Sequence, residues 1–300
     1  MPRKVACVEI GGIPISLATT DETFFDLLVR RYEGFLSASP AQFELEFEIV
    51  EAGAVSDGDV RVCRDGSQWS IKRGDFCAHW NPRTGTGVVR QNANPYSLDS
   101  VLRILHSLIL AERDGFLLHA ASAICDGRSF LFSGVSGAGK TTITRLAPPA
   151  VTLLTDEISY VRPRGVPSDD AHPDSLGYQA FGTPFAGELA KSGENTRAGV
   201  AALFFLEQGP ENRIDELPPT EAVQRLMRNI LFFAEDPKLV EKLLASACDF
   251  AARVPIRRLT FYPDARVWDD VRHFGPQFAR LSRDGVIACD DVEKEVTAHA

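Results

Sequence analysis

The sequence predicts an α/β protein in which a large domain with a phosphate-binding loop follows a small β-rich α+β domain. The first observation is a G-x-x-x-x-G-K-T pattern, GVSGAGKT, which lies between the apolar run SFLF and the run TTITRLA. Strand, loop and helix therefore follow one another in the order that a P-loop requires. The second observation is a change of pattern at NPYS, which predicts a division into residues 1–95 and 96–300.

The N-terminal domain is predicted from short apolar runs separated by Gly, Asp and Pro turns. They surround one helical segment, ETFFDLLVRRYEGFL. No pattern of catalytic residues is present there, and a role of this domain in substrate recognition is left open. After NPYS, a helix over residues 98–111 is predicted in the second domain, because six apolar residues fall at helical spacing. These residues are Leu98, Val101, Leu102, Leu105, Leu108 and Ile109.

The glycine-rich loop has the residue types that bind phosphate groups. Its glycines allow successive backbone N–H groups to point into one concavity, which suits an anion. Lys140 can reach the β- and γ-phosphate oxygens, and the hydroxyl of Thr141 can bind Mg²⁺. The predicted nucleotide-binding residues are Gly134, Val135, Ser136, Gly137, Ala138, Gly139, Lys140, Thr141 and Thr142. The sequence thus predicts ATP, with Mg²⁺, as the ligand of this loop.

Two adjacent carboxylates and one histidine are the candidates for the remaining chemistry. Asp156 and Glu157 follow the apolar run VTLLT, and His119 lies in the apolar run before the loop. Phosphoryl transfer needs a metal ligand and a group that receives the proton of the attacking hydroxyl. We predict Thr141 and Asp156 as metal ligands. We predict Asp156 as the stronger candidate for the base, with Glu157 as the alternative, because neighbours on a strand point in opposite directions.

Composition excludes several classes of protein. The net charge is −9 and the pI about 5.2, which is unlike the basic surface of a nucleic-acid-binding protein. The sequence has no secretory signal and no run of 18 apolar residues, so we expect a cytoplasmic protein without a membrane span. The six cysteines form no C-x-x-C pair, and Cys63, Cys77 and His79 lack a metal-ligand spacing. Self-association as a homo-oligomer is left open.

The order LLHAA, hairpin, GVSGAGKT, short helix and LLTDE resembles the C-terminal kinase domain of HPr kinase/phosphorylase. It is more similar to the HPr-kinase-like proteins, some of which phosphorylate peptides in bacterial biosynthetic clusters. The resemblance covers residues 116–262 and includes GTPFAGE at 182–188. It implies a fold shared with phosphoenolpyruvate carboxykinase, and catalytic roles for His119, Lys140, Asp156 and Glu157. The sequence departs from HPr kinase in having Glu157 as its second acid and in lacking the glycine-rich signature after the acid pair.

The function expected from the sequence is an ATP- and Mg²⁺-dependent kinase. Its acceptor would be a hydroxyl on a Ser or Thr of a protein or peptide, or on a small metabolite. A non-catalytic nucleotide-binding regulator is the alternative from another class. A metabolite kinase of the shikimate-kinase type is less favoured, because 133 residues precede the loop here. A motor ATPase is not supported, because the sequence has no second nucleotide-binding signature. Pyrophosphate as the phosphoryl donor is left open.

Overall fold

The computed structural model describes residues 2–51, 58–164 and 177–274. Cys289 and the C-terminal part of the predicted second domain lie outside these residues. The described chain divides into two compact units. The first comprises residues up to Glu112 together with Phe232–Val240, and the second begins at Arg113 and resumes at Glu241. The helix predicted at 98–111 groups with the first unit, whereas the sequence analysis assigned it to the second domain.

Among the described residues, the first unit contains a seven-stranded sheet, two α-helices and the short 3-10 helix Glu33–Phe35. Its strands are β1 (Lys4–Ile10), β2 (Ile13–Thr19), β3 (Phe43–Ile49), β4 (Arg61–Asp65), β5 (Gln68–Arg73), β6 (Phe76–Asn81) and β7 (Thr86–Gln91), and its helices are α1 (Glu22–Arg31) and α2 (Pro95–Ala111). The spatial order is β1-β2-β3-β7-β6-β5-β4. Strand β3 is parallel to both of its neighbours, and the other pairs are antiparallel.

Both α-helices of the first unit begin at side-chain caps. Asp21 accepts a hydrogen bond from the backbone N–H of Phe24 at 2.7 Å, and Asn94 accepts one from Tyr96 at 2.9 Å. Such caps satisfy N–H groups that have no partner within the helix. All six apolar residues of the predicted stripe in α2 are at most 3% exposed, so the predicted burial of this stripe is confirmed. The helix is also buried outside the stripe, at Asp99 and His106 among others.

The second unit contains nine strands and four helices among the described residues. Its strands are β8 (Phe116–Cys125), β9 (Arg128–Ser133), β10 (Thr152–Thr155), β11 (Ile158–Pro163), β12 (Tyr178–Phe181), β13 (Arg197–Gln208), β14 (Arg213–Glu216), β15 (Ile230–Leu231) and β16 (Ile256–Phe261). Its helices are α3 (Lys140–Arg145), α4 (Pro219–Asn229), α5 (Pro237–Arg253), which begins at residues grouped with the first unit, and α6 (Val267–His273).

Five strands of the second unit form a closed ring. Strand β8 pairs with β9, β9 with β13, β13 with β12, β12 with β11, and β11 pairs again with β8. Hairpin β8–β9 turns at Asp126-Gly127, whose φ angles are +49° and +74°. Both angles fit the two-residue turn with positive φ that this dipeptide favours, so the predicted hairpin is confirmed.

The predicted α/β kinase fold is wrong. Strands take up 39% of the described residues and helices 28%, and the second unit is built on the closed five-stranded ring. Four of its five pairings are antiparallel, whereas an α/β fold would alternate parallel strands with helices. The error arose because a short apolar run predicts a strand without its direction.

Candidate functional site

The glycine-rich loop follows β9 directly and leads into α3. Gly139 has a φ angle of +111°, which side chains rarely adopt. A Cβ atom there would also lie 2.6 Å from the Cζ atom of Phe261, so both conformation and space require glycine. Gly134 is similarly constrained, because its Cβ would lie 2.8 Å from the Cβ of Ala138. The path of the loop is therefore fixed by its packing on the core.

Two side chains from distant parts of the sequence hold the loop and its helix. The amide of Gln208, at the end of β13, donates to the carbonyl of Gly137 at 2.7 Å. The indole N–H of Trp268, in α6, donates to the carbonyl of Ile143 at 3.0 Å. The sequence analysis missed both residues, because neither belongs to the motif. They keep the loop in place while its exposed residues face outward.

Lys140 is half-buried and folds back on the loop. Its ammonium group donates to the carbonyls of Gly134 at 2.9 Å and of Val135 at 3.4 Å. Burial lowers the pKa of Lys140 from its ordinary 10.5, while the nearby negative charges of Glu157 and Glu188 act in the opposite direction. The lysine thus lies between the loop and two carboxylates.

The acid pair lies at a break between two strands. Strands β10 and β11 both pair with β8, with Thr155 opposite Ser122 and Ile158 opposite His119. Asp156 and Glu157 form a bend between them, rather than the end of one strand. Because of this bend the two side chains are not forced to opposite faces, and both line the same pocket.

Asp156 is only 4% exposed and is engaged by backbone amides. Its Oδ1 accepts a hydrogen bond from Gly187 and its Oδ2 accepts one from Leu189, both at 2.8 Å. Glu188, the residue between these two amides, accepts a hydrogen bond from the hydroxyl of Thr141 at 2.9 Å. Glu188 lies in the segment GTPFAGE but was not predicted as a site residue. Its contact with Thr141 joins residues far apart in the sequence.

His119 is half-buried in β8, beside the break that contains the acids. Its backbone carbonyl accepts a hydrogen bond from the hydroxyl of Ser133 at 2.8 Å, at the end of the strand that leads into the loop. Burial, and secondarily the positive charge of Lys140, lower the pKa of His119 from its ordinary 6.5. The imidazole is therefore neutral at neutral pH.

These residues surround one cavity of about 220 Å³. Its lining consists of His119, Ser136, Gly137, Gly139, Lys140, Thr141, Thr142, Asp156, Glu157, Gly187 and Glu188. The structure therefore brings together all four predicted catalytic residues and both predicted metal ligands. Gly134, Val135 and Ala138 belong to the loop but do not line the cavity. The roles assigned to these residues stay predictions.

The lowered pKa of His119 predicts a pH dependence of stability. The unfolded chain takes up a proton at this residue near pH 6.5, whereas the folded chain does so only at a lower pH. The free energy of unfolding should therefore fall as the pH drops through 6.5 towards the folded-state pKa. Urea unfolding at pH 7.5, 6.5 and 5.5 measures this effect, and His119→Gln should show a smaller decrease. Equal decreases in both proteins would contradict the prediction.

The described residues lack a metal-binding cluster and a helix that could cross a membrane. In residues 2–51, 58–164 and 177–274, no three or more His, Cys, Asp or Glu side chains form a group suited to a metal ion. Over the same ranges, the helices include none with the length and apolar character needed to cross a membrane.

Fold and site together define a strand-rich protein of two units, whose glycine-rich loop lies beside a carboxylate cluster. The family model described as "SynChlorMet cassette protein ScmC" matches residues 91–274. This is more than half of the chain, which therefore belongs to the ScmC family. The predicted membership of the HPr-kinase-like family is wrong, because ScmC is the family that matches and the fold differs from the one expected. No curated protein matches the sequence.

Proposed function

We propose that this protein binds ATP together with Mg²⁺ and transfers the γ-phosphoryl group to a hydroxyl of an acceptor. One observation carries the proposal: the glycine-rich loop, Lys140 and Thr141 share one small cavity with Asp156, Glu157 and Glu188. Phosphoryl transfer is catalysed mainly by positioning and by neutralisation of charge, and both need groups of these kinds around the phosphates.

The cavity suits the phosphates rather than a whole nucleotide. Its volume of about 220 Å³ is below the roughly 300–1,000 Å³ of sites that enclose a drug-sized ligand. The phosphates would lie inside, and the base and ribose outside on the surface. Lys140 would leave the carbonyls of Gly134 and Val135 to donate to phosphate oxygens, which accept stronger, charge-assisted hydrogen bonds.

Thr141 and Glu188 are the pair best suited to hold the metal. Mg²⁺ is bound by oxygen ligands and usually takes only one or two from carboxylates, with phosphates and waters completing its shell. The hydroxyl of Thr141 and the carboxylate of the exposed Glu188 lie side by side, 2.9 Å apart. When bound, Mg²⁺ would neutralise charge on the phosphates.

Glu157 is the side chain that we assign as the base. Both oxygens of the buried Asp156 carboxylate already accept hydrogen bonds from backbone amides, so it is the less available of the two acids for a proton. Glu157 is half-buried and lines the same cavity. It would take the proton of the acceptor hydroxyl, whose oxygen bonds to the γ-phosphorus while the bond to the β-phosphate oxygen breaks. His119, kept neutral, would position a phosphate oxygen through a hydrogen bond.

The acceptor and the compartment form part of the same proposal. A net charge of −9 disfavours a nucleic acid as the acceptor, so we propose a Ser or Thr hydroxyl of a protein or peptide, or a small alcohol. The five cysteines of the described residues are free thiols, which agrees with a reducing compartment. A cytoplasmic kinase fits both points.

Calorimetric titration with ATP, with and without Mg²⁺, tests nucleotide binding. Incubation with γ-labelled ATP and a panel of Ser/Thr peptides and small alcohols, followed by mass spectrometry, tests transfer. We expect Mg²⁺-dependent binding and a mass increase of one phosphoryl group on one acceptor class. Binding of ATP without transfer to any peptide or alcohol of the panel would favour a nucleotide-binding regulator. Absence of binding at millimolar ATP would overturn the proposal.

A further inference from the structure

Asp156 holds a short segment of backbone by two hydrogen bonds. Its two carboxylate oxygens accept from the N–H groups of Gly187 and Leu189, each at 2.8 Å. These amides flank Glu188 on both sides. Hydrogen bonds to an ionised carboxylate are about twice as strong as neutral ones, and Asp156 is almost fully buried. The position of the Glu188 backbone is therefore fixed by the Asp156 side chain through the amides of its two neighbours.

The close approach of this segment to the acid pair also depends on Gly187. A Cβ atom at that position would lie 3.0 Å from Oδ2 of Asp156 and 2.9 Å from the Cβ of Glu157. The distance to Glu157 is shorter than real Cβ atoms show, and the distance to Asp156 lies at the limit of what they show. A side chain at position 187 would therefore push the segment away from the acid pair. Glycine at 187 and the carboxylate at 156 together keep the segment against the break between β10 and β11.

We infer that Asp156 is a positioning residue, which acts through the 187–189 backbone to hold the carboxylate of Glu188 against the hydroxyl of Thr141. The inference rests on the proposed function, in which Thr141 and Glu188 hold the metal. Asp156 then contributes to metal-dependent nucleotide binding without being a ligand itself. Residues that orient a ligand in this way typically change metal affinity 10- to 100-fold when they are replaced.

A double-mutant cycle tests this coupling in the full chain. The quantity measured is the ratio of the ATP dissociation constant in EDTA to that in Mg²⁺. Asp156→Asn and Glu188→Gln should each reduce this ratio at least about tenfold. The double variant should show no further reduction, because both changes remove the same contact. Glu211→Gln, an exposed acid in a turn, is the matched control and should keep the wild-type ratio.

A second variant tests the inference without altering any charge. Gly187→Ala should displace the segment and reduce the same ratio at least about tenfold. This variant keeps the inference testable if Asp156→Asn does not fold. Reductions that multiply in the Asp156/Glu188 double variant, or a wild-type ratio in Gly187→Ala, would overturn the inference.

Amide hydrogen exchange separates this inference from the proposed function. In the nucleotide-free protein, the N–H groups of Gly187 and Leu189 should exchange slowly. Asparagine keeps only one acceptor oxygen, so at least one of these two N–H groups should exchange about tenfold faster or more in Asp156→Asn. They should remain slow in Glu188→Gln. If the wild-type protein bound no nucleotide, the proposed function would fail. Unchanged exchange in Asp156→Asn would instead overturn the positioning role alone.

Discussion

Replacement of Lys140 by alanine should leave the protein folded and slow phosphoryl transfer by at least roughly 10²–10³-fold, the usual loss when one donor to developing negative charge is removed. The half-buried ammonium makes two hydrogen bonds to loop carbonyls, and the apolar core beside the loop is built from other side chains, so its loss costs little packing. Single-turnover rates with γ-labelled ATP, together with circular dichroism and urea unfolding, measure both parts of the expected result.

The exposed Lys191 provides the control for this experiment. Lys191→Ala removes the same charge outside the cavity and should keep the wild-type rate. Lys140→Arg adds a second test, because arginine keeps the charge but has a wider, planar head group that does not fit a site for a point charge. A Lys140→Ala protein with wild-type ATP affinity and rate would show that the loop does not serve phosphoryl transfer.

Glu157→Gln should slow the transfer step by roughly 10²–10⁴-fold, the usual contribution of a general base. Glutamine keeps the size of the side chain but cannot take the proton of the acceptor hydroxyl. The dissociation constant for Mg²⁺-ATP should stay within a few-fold of that of the wild type, because Glu157 is not one of the proposed metal ligands. Burst-phase or single-turnover kinetics with a true acceptor separate the transfer step from product release.

The comparison with Asp156→Asn decides between the two acids. The sequence predicts Asp156 as the base, whereas the hydrogen bonds in the structure favour Glu157. If Glu157 is the base, Asp156→Asn should mainly weaken Mg²⁺-dependent binding, and Glu157→Gln should mainly slow transfer. A slow transfer step in Asp156→Asn with a normal rate in Glu157→Gln would restore the assignment made from the sequence. Normal rates in both variants would remove the kinase proposal.

The features predicted correctly from the sequence are those with local signals. Asp126-Gly127 requires positive φ angles at neighbouring positions, so the hairpin before the loop could be recognised. The spacing of the apolar residues in α2 can likewise be recognised within one segment, and it predicted correctly that these side chains are buried. Strand direction has no such signal, and the α/β prediction failed for that reason. The bend at Asp156-Glu157 was also hidden, because the strand was predicted to end at these acids, and the sequence does not show that ISYV pairs with the same neighbouring strand.

The parts of the site that escaped prediction depend on contacts between distant segments. Glu188 contacts Thr141 across 47 positions, and Gln208 contacts Gly137 across 71. Neither Glu188 nor Gln208 lies in a sequence motif that would indicate which residue it contacts. The resemblance described in the sequence analysis included the segment that contains Glu188 but gave this residue no role. Residues within the loop and the acid pair could be found because their types alone suit phosphate and metal chemistry.

The closed ring of strands has a consequence for the order in which the chain folds. Strand β9, which leads into the loop, has β8 on one side and β13 on the other, and β13 follows much later in the sequence. The hairpin can form during synthesis as soon as both of its strands have emerged, whereas the pairing with β13 must close a long loop, which is entropically costly and slow. Until then β9 presents an unpaired edge, the kind of surface at which chains aggregate. A nascent chain without β13 is therefore the species most in need of chaperone protection.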